Sequence, residues 1–412
     1  VDLARIFGLP AALLVIAVIA NRLSRWTRVP DIIVLLLIGV GLGPILHWVD
    51  PVYFTTGIRI LGMLALILIL FQGGLELRLK ETIRYSPGGM LLAVVSYGCT
   101  LGLIACVARV LLHLTWMDCA LLGAVLGSTS AAVVLPAIQQ IAAPEAVKIT
   151  LTLEASLGEI IAVLTVGTLI GLDGSQPIFE GLITGFGHHM LVDVVLGIAA
   201  GVAWSRVWPQ FASHQFSNAL NLGMVLGVFA VGRSAGGSGL LAELVFGITL
   251  ANMPRTPHTA RQGARMMAFH SELTFLVRSF FFVLLGIMAK FVSRAYVVPI
   301  LGILVALVLA RYVAVRATRW SIRDIVPADS ALLFLMMPRG LITAVLALQV
   351  LAARGQMFFF LPAMAFTVVL FTNIFVVVAA VTARHAKDPV AAPEIVSSTV
   401  TSSTAAEPGT LV

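Results

Sequence analysis

The sequence predicts an all-α protein that crosses a membrane many times, and three observations carry that expectation. Of its 412 residues, 59% are hydrophobic and only 11% charged, too little polar surface to cover a soluble globule of this size. Apolar runs of about 17–25 residues recur from end to end, the length that crosses a hydrocarbon core of roughly 30 Å. The runs are continuous and rich in Leu, Ala and Val. Each can therefore satisfy its own backbone polar groups as a helix, whereas a β-barrel would show short alternating segments.

About thirteen spans follow, with approximate cores at 7–23, 30–47, 58–75, 88–112, 118–140, 147–171, 189–207, 216–233, 238–252, 272–293, 296–316, 329–353 and 359–383. Together they make one transmembrane domain over 1–384. The Ser/Thr/Ala-rich segment 385–412 has no apolar period and reads as a disordered tail. Two spans differ from the rest. The fifth, CALLGAVLGSTSAAVVLPAIQQ, is interrupted by Gly127, Ser128, Thr129, Ser130 and Pro136, and the twelfth, LLFLMMPRGLITAVLALQV, by Pro338, Arg339 and Gly340. If spans 1–6 and 8–13 are inverted repeats around the seventh, these two occupy corresponding positions. Paired broken helices point to a midplane site, because unwound backbone is tolerated only where it lines a cavity or is buried in protein.

The net charge of +7 does not indicate nucleic acid, because the basic residues lie between apolar runs without an aromatic-interleaved patch. They read as topology signals. Alternate loops carry Arg22, Arg25 and Arg28, then Arg78, Lys80 and Arg84, then Lys148, then Arg206, then Arg255, Arg261 and Arg265, then Arg316, Arg319 and Arg323, and finally Arg384 and Lys387. The opposite loops are sparser, so the first set is cytoplasmic, with the N-terminus outside and the C-terminus inside a plasma or inner membrane. The three cysteines, Cys99, Cys106 and Cys119, have no metal-ligand spacing and read as free core thiols. His188 and His189 fall in an expected external loop and read as a solvated pair.

A charge inside an apolar span costs at least about 2.5 kcal/mol, so each such residue is an ion-pairing or functional candidate. Glu154 and Glu159 share the sixth span, LTLEASLGEIIAVLTVG, five positions apart. On a helix that spacing rotates them by about 140°, so they require different partners. One carboxylate can be held by a permanent countercharge while the other exchanges a proton for a cation. Arg311 in the eleventh span is the natural fixed partner, and Arg339 can place positive charge beside the carbonyls exposed at a helix break. Gly158 lets another backbone or an ion come close to Glu159. Glu243 is expected to serve a dimer interface or line a funnel, with a second titrating role as the alternative. Arg278 is expected to neutralise a carboxylate near one of the two funnels, its partner left open. Asn373 reads as an interhelical hydrogen-bonding residue.

Several stretches, RVPDIIVLLLIGVGLGP, FQGGLELRLK, LLGAVLGSTSAAVVLP, LEASLGEIIAVL, SGLLAELVFGITLAN, FFFVLLGIMA, LARYVAV and PRGLITAVLAL, stand in this order along residues 20–380. Together they resemble the monovalent cation/proton antiporter superfamily, and its NhaP-type sodium/proton branch more than the others. The resemblance implies a homodimer of thirteen-helix subunits in which crossed broken helices carry the ion. It implies a core domain, about 88–171 and 296–383, that moves elevator-fashion against interface helices, about 7–75 and 189–293. By the same likeness, Glu154 pairs with Arg311, and Glu159 is the ion- and proton-carrying carboxylate with Gly158 beside it. Thr129 and Ser130 stand where the family has a Thr-Asp pair, with Ser128 adjoining them, and Arg339 is the arginine of the second break. This chain departs from the pattern at Gly158, usually Asn or Asp, at Glu159, usually Asp, and at Ser130.

The implied activity is exchange of a monovalent cation, sodium first and potassium or lithium as alternatives, for protons, with no cofactor. A proton and a cation exclude one another at a single buried carboxylate, and either neutralises it for the crossing. One carboxylate predicts one-for-one, electroneutral exchange. The alternative is a proton-coupled symporter or anion transporter on the same scaffold, with Arg339 and Arg278 supplying a positive centre.

Overall fold

The computed structural model describes residues 3–27, 31–48, 55–77, 79–141, 143–171, 178–211, 214–253, 257–289, 293–322 and 327–385. The tail expected beyond residue 385 lies outside them, as do Arg28, Arg78, Arg255, Arg323 and Lys387 of the charge pattern. Among the described residues the fold is helical with no strand. Its α-helices are α1 (Leu3–Thr27), α2 (Asp31–Val40), α3 (Thr55–Glu76), α4 (Leu79–Leu111), α5 (Trp116–Leu126), α6 (Ala131–Gln140), α7 (Glu145–Gly171), α8 (Ile178–Phe211), α9 (Ser217–Ser234), α10 (Leu240–Asn252), α11 (Pro257–Ile287), α12 (Val297–Thr318), α13 (Pro327–Leu335), α14 (Leu341–Arg354) and α15 (Leu361–His385). A π-helical turn, Gly41–Ile45, continues α2. Eight stretches among the described residues are long and apolar enough to cross a membrane, and four shorter apolar helices, Ala11–Leu23, Asp31–Ile45, Ile60–Leu75 and Leu240–Asn252, accompany them.

The polarity of the helices is that of a membrane protein. On α12 the side chains of Leu301, Val305, Leu309 and Tyr312 form an exposed stripe, while Arg311 is buried on the other side. An apolar exterior around a charged interior is stable in lipid and not in water. Helices α4, α5, α7 and α12 pack on one another, and α2, α3, α8, α10 and α11 form a second group. Helices α6 and α14 contact both α7 and α3, so the two broken pairs stand where the groups meet.

Glycines set the closest approaches in the second group. A Cβ on Gly286 of α11 would run into Leu36 O and the Cα of Gly39 on α2, and one on Gly247 of α10 would meet Phe71 O and the Cα of Gly74 on α3. Only glycine allows backbones to touch in this way, as small residues do at membrane helix crossings.

Three local expectations change. Pro136 does not interrupt a helix but lies inside α6. His188 and His189 are not in a loop but within α8, where His189 Nδ1 meets the carbonyl of Gly236. Cys106 is a free thiol on an exposed face, not in the core.

Candidate ion site at the meeting of two broken helices

Helix α5 ends at Leu126 and α6 begins at Ala131, while α13 ends at Leu335 and α14 begins at Leu341. Ser and Thr at 128–130 compete with helical hydrogen bonding through their own hydroxyls, and Pro338 has no N–H to continue a helix. The unwound segments meet directly, with the Ser130 N–H donating to Pro338 O at 2.8 Å. Gly340 is required there because a Cβ would collide with the Ser130 side chain. Ser128, Thr129, Ser130 and Arg339 are all buried, so unwound backbone is kept from lipid.

Each broken pair leaves a helix C-terminus with unmatched carbonyls and a helix N-terminus with unmatched N–H groups, carrying partial negative and positive charge respectively. Three charged side chains answer three of these four ends. Arg339 Nε donates to Leu126 O, the last carbonyl of α5, at 2.8 Å. Arg311 Nε donates to Leu333 O at 2.9 Å and its Nη2 to Met336 O at 2.8 Å, closing the end of α13. Glu159 Oε1 accepts the N–H of Ala131, the first residue of α6, at 3.0 Å and the Ser130 hydroxyl at 3.3 Å.

The two glutamates of α7 do have different partners. Glu154 is held by Arg311 through Nη1 to Oε1 at 2.7 Å and Nη2 to Oε2 at 3.2 Å, and by the Thr129 hydroxyl at 2.8 Å. Arg339 Nη1 donates to the same Thr129 oxygen at 3.1 Å. Both oxygens of Glu154 are thus committed, whereas Glu159 Oε2 is buried with no partner, as are the hydroxyls of Ser128 and Ser156. When Glu159 is ionised, the two carboxylates and the two guanidiniums balance.

Gly158 makes room rather than a tight contact, since a Cβ there would meet only Thr129 N at 3.8 Å. A cleft of about 620 Å³ lies between α6 and the helices α1, α3 and α11. Asn21, Gln72, Glu272 and Arg278 line it, and it reaches Ala131, whose N–H holds Glu159.

Arg278 has its partner in Asp31, at 2.7 Å between Nη2 and Oδ2, and its Nη1 donates to Ala132 O at 3.2 Å. Glu243 is fully buried in α10 and does not line the cleft. Sequence reasoning missed Asp31, which it treated as part of a span's opening, and Asp193. The latter is buried in α8 and accepts the N–H groups of Ser238 and Gly239, which start α10. The cost of a charge inside an apolar run, applied to HHMLVDVVLG, would have found it. It also missed Thr372, whose hydroxyl accepts the Arg339 N–H at 2.9 Å, while Asn373 donates to Arg339 O at 2.8 Å and braces the second break.

The chain is 29% identical over 289 residues to the K(+)/H(+) antiporter NhaP of Alkalimonas amylolytica, covering 67% of this chain and 48% of that protein. It therefore spans about half the length of that relative. The Na(+)/H(+) antiporter 1 of Methanocaldococcus jannaschii is 25% identical over 309 residues, covering 71% of this chain and 70% of that one. In fold the chain is similar to the sodium proton antiporter MjNhaP1 from the same organism at pH 8, with a TM-score of 0.73 at 20% identity over 92% of this chain and 96% of that one. The family described as sodium/hydrogen exchanger, transmembrane, matches residues 11–384, and the chain belongs to that family of integral membrane transporters.

Proposed function

We propose that the chain exchanges a monovalent cation for protons at Glu159. The observation that carries this reading is the unpartnered Oε2 of Glu159, buried beside Ser130 at the start of α6, with every other carboxylate oxygen of the crossing committed. An ionised carboxylate oxygen left without a partner in dry protein is costly even where nearby charges balance, so Oε2 takes either a proton or a cation. Ser128, Ser130 and Ser156 are the neighbouring hydroxyls for a hard cation that prefers oxygen ligands, with Thr129 holding the adjoining pair in place. Sodium and potassium are both candidate cargoes, and both occur in the names of the relatives.

Core helices 88–171 and 296–383 carry the ion past interface helices 7–75 and 189–293 in an elevator movement, in a homodimer. The cleft is lined by Asn21 of α1, next in sequence to the Arg22 and Arg25 cluster, and we read it as facing the cytoplasm because the positive-inside rule assigns that cluster to the cytoplasmic side. An anion-carrying reading draws less support. Both Arg339 and Arg278 are engaged with carbonyls, and Arg278 also with a carboxylate, rather than offered to a ligand.

The test is reconstitution into liposomes with an internal pH indicator and challenge with sodium, potassium, lithium or chloride gradients. Proton movement driven by one of the alkali cations is expected. Movement that follows only the anion would overturn the reading.

A further inference from the structure

Three buried hydrogen bonds run in line from the cleft to Glu159. Arg278 Nη1 donates to Ala132 O at 3.2 Å. The peptide group that contains this carbonyl also contains the N–H of Val133, which donates to Ser130 O at 3.2 Å. The peptide group of Ser130 O contains in turn the N–H of Ala131, which donates to Glu159 Oε1 at 3.0 Å. A positive charge at one end of two peptide groups in series therefore faces a carboxylate at the other, with every dipole aligned. Hydrogen-bonded chains of this kind strengthen one another by polarisation, most where an end group is charged.

The sequence explains why Ala132 is free to take part. Four residues along a helix the partner of its carbonyl would be the N–H of residue 136, and Pro136 has none. The proline that does not break α6 instead orphans a carbonyl, and α11 supplies the missing donor. Asp31 at the start of α2 fixes the guanidinium from behind.

We propose that Arg278, oriented by Asp31, is a positioning residue for Glu159 that acts through the first turn of α6, filling the hydrogen bond Pro136 withholds and strengthening the Ala131 donor on the carboxylate. This inference rests on Glu159 as the exchanging group. Loss of the charged donor weakens the Ala131 bond, which costs the ionised and cation-loaded carboxylate more than the protonated one. Protons then compete better with the cation at a fixed pH.

The experiment is a double-mutant cycle between Arg278→Met and Pro136→Ala, read as KM and maximal rate for the driving cation in proteoliposomes. Arg278→Met is expected to raise KM about tenfold, the size of one hydrogen bond to a charged group, with a smaller change in maximal rate. In the Pro136→Ala background the restored residue-136 N–H gives Ala132 O a neutral donor of about half the strength, so the same change should raise KM only about threefold. Arg278→Lys, which keeps a charged donor, should fall between wild type and Arg278→Met.

Equal effects in the two backgrounds, or a loss of maximal rate with KM unchanged, would overturn the proposal and reduce Arg278 to a helix fastener. If Arg278→Met does not fold, Arg278→Lys and Asp31→Asn are read by the same KM split and by the thermal shift that added cation produces. Unchanged values in both then overturn it. Wild-type protein in the same vesicles reports separately on the exchange reading, since absence of cation-driven proton flux there would sink that reading and not this geometry.

Discussion

The two interruptions of the fold are built alike at one end and unlike at the other. At α5 and at α13 the broken C-terminus is closed by a buried arginine, Arg339 on Leu126 O and Arg311 on Leu333 O and Met336 O. At the N-termini the likeness ends. Helix α6 starts against the carboxylate of Glu159, while Gly340, the residue before α14, lies against the Ser130 side chain, and among the described residues no carboxylate hydrogen-bonds there. The carbonyl ends are closed by fixed guanidiniums, and among the described carboxylates of the crossing only Glu159 is left with a spare oxygen. That difference is what the proposed reading uses to separate structural charges from an exchangeable one.

The comparison breaks most sharply at Glu159. Glu159→Gln keeps the shape and the contact with Ala131 but removes the exchangeable charge, so cation-driven proton flux should fall at least about a hundredfold with thermal stability retained. Robust flux from this variant would assign the spare oxygen no role.

Glu154 and Arg311 should answer in stability instead. Neutralising one partner of a fully buried pair costs about 3–5 kcal/mol, and the double change Glu154→Gln with Arg311→Met should recover part of it. The two single changes should also differ. Arg311→Met strips donors from Leu333 O and Met336 O as well as from Glu154, whereas Glu154→Gln leaves those carbonyls capped. Additive single effects in thermal or denaturant unfolding would show that the pair is not coupled.

The two glycines beside the crossing offer a smaller contrast. A Cβ at Gly340 would come within 2.8 Å of Ser130 Cβ, so Gly340→Ala should cost about 1–3 kcal/mol by forcing the breaks apart. Gly158→Ala meets only an ordinary contact inside a helix and should be neutral or stabilise by up to about 1 kcal/mol. A thermal shift in the reverse order would contradict the packing.

The smallest expected effect is that of voltage. On the proposed reading one exchangeable carboxylate displaces one proton per cation, so a field worth about 2.3 kcal/mol per charge per 100 mV should leave the rate unchanged. Initial rates with the vesicle potential held at zero and at inside-negative values decide this. Acceleration would bring the other buried carboxylate with free oxygens, Glu243, into the cycle.

Much of this was legible in the chain because the bilayer makes polar residues conspicuous. Glu154, Glu159, Arg311 and Arg339 stand out against apolar neighbours, and helical rotation alone separates the two glutamates. Runs of Ser, Thr, Gly and Pro mark the breaks for the same reason. What could not be read was pairing over long separations. Asp31 and Arg278 are 247 positions apart, and nothing local to either names the other. Pro136 was misread because a proline's missing donor can be replaced from a neighbouring helix, which is a tertiary fact. The histidine pair was assigned to a loop because the apolar run starts only at about residue 189, whereas α8 already begins at Ile178.

The glycine contacts have a mechanical consequence. Where α2 touches α11 at Gly39 and Gly286, and α3 touches α10 at Gly74 and Gly247, each backbone is seated in a notch one residue wide. A slip of even one residue along the axis would drive Val40 or Leu75 side chains against a neighbouring main chain, so these crossings behave as keyed joints with a single register. Slippage is left to surfaces where side chains face one another across open space, and the cleft beside α6 is such a surface. The notches thus make the panel behind the cleft stiff, because any sliding of its helices would have to break backbone contacts outright.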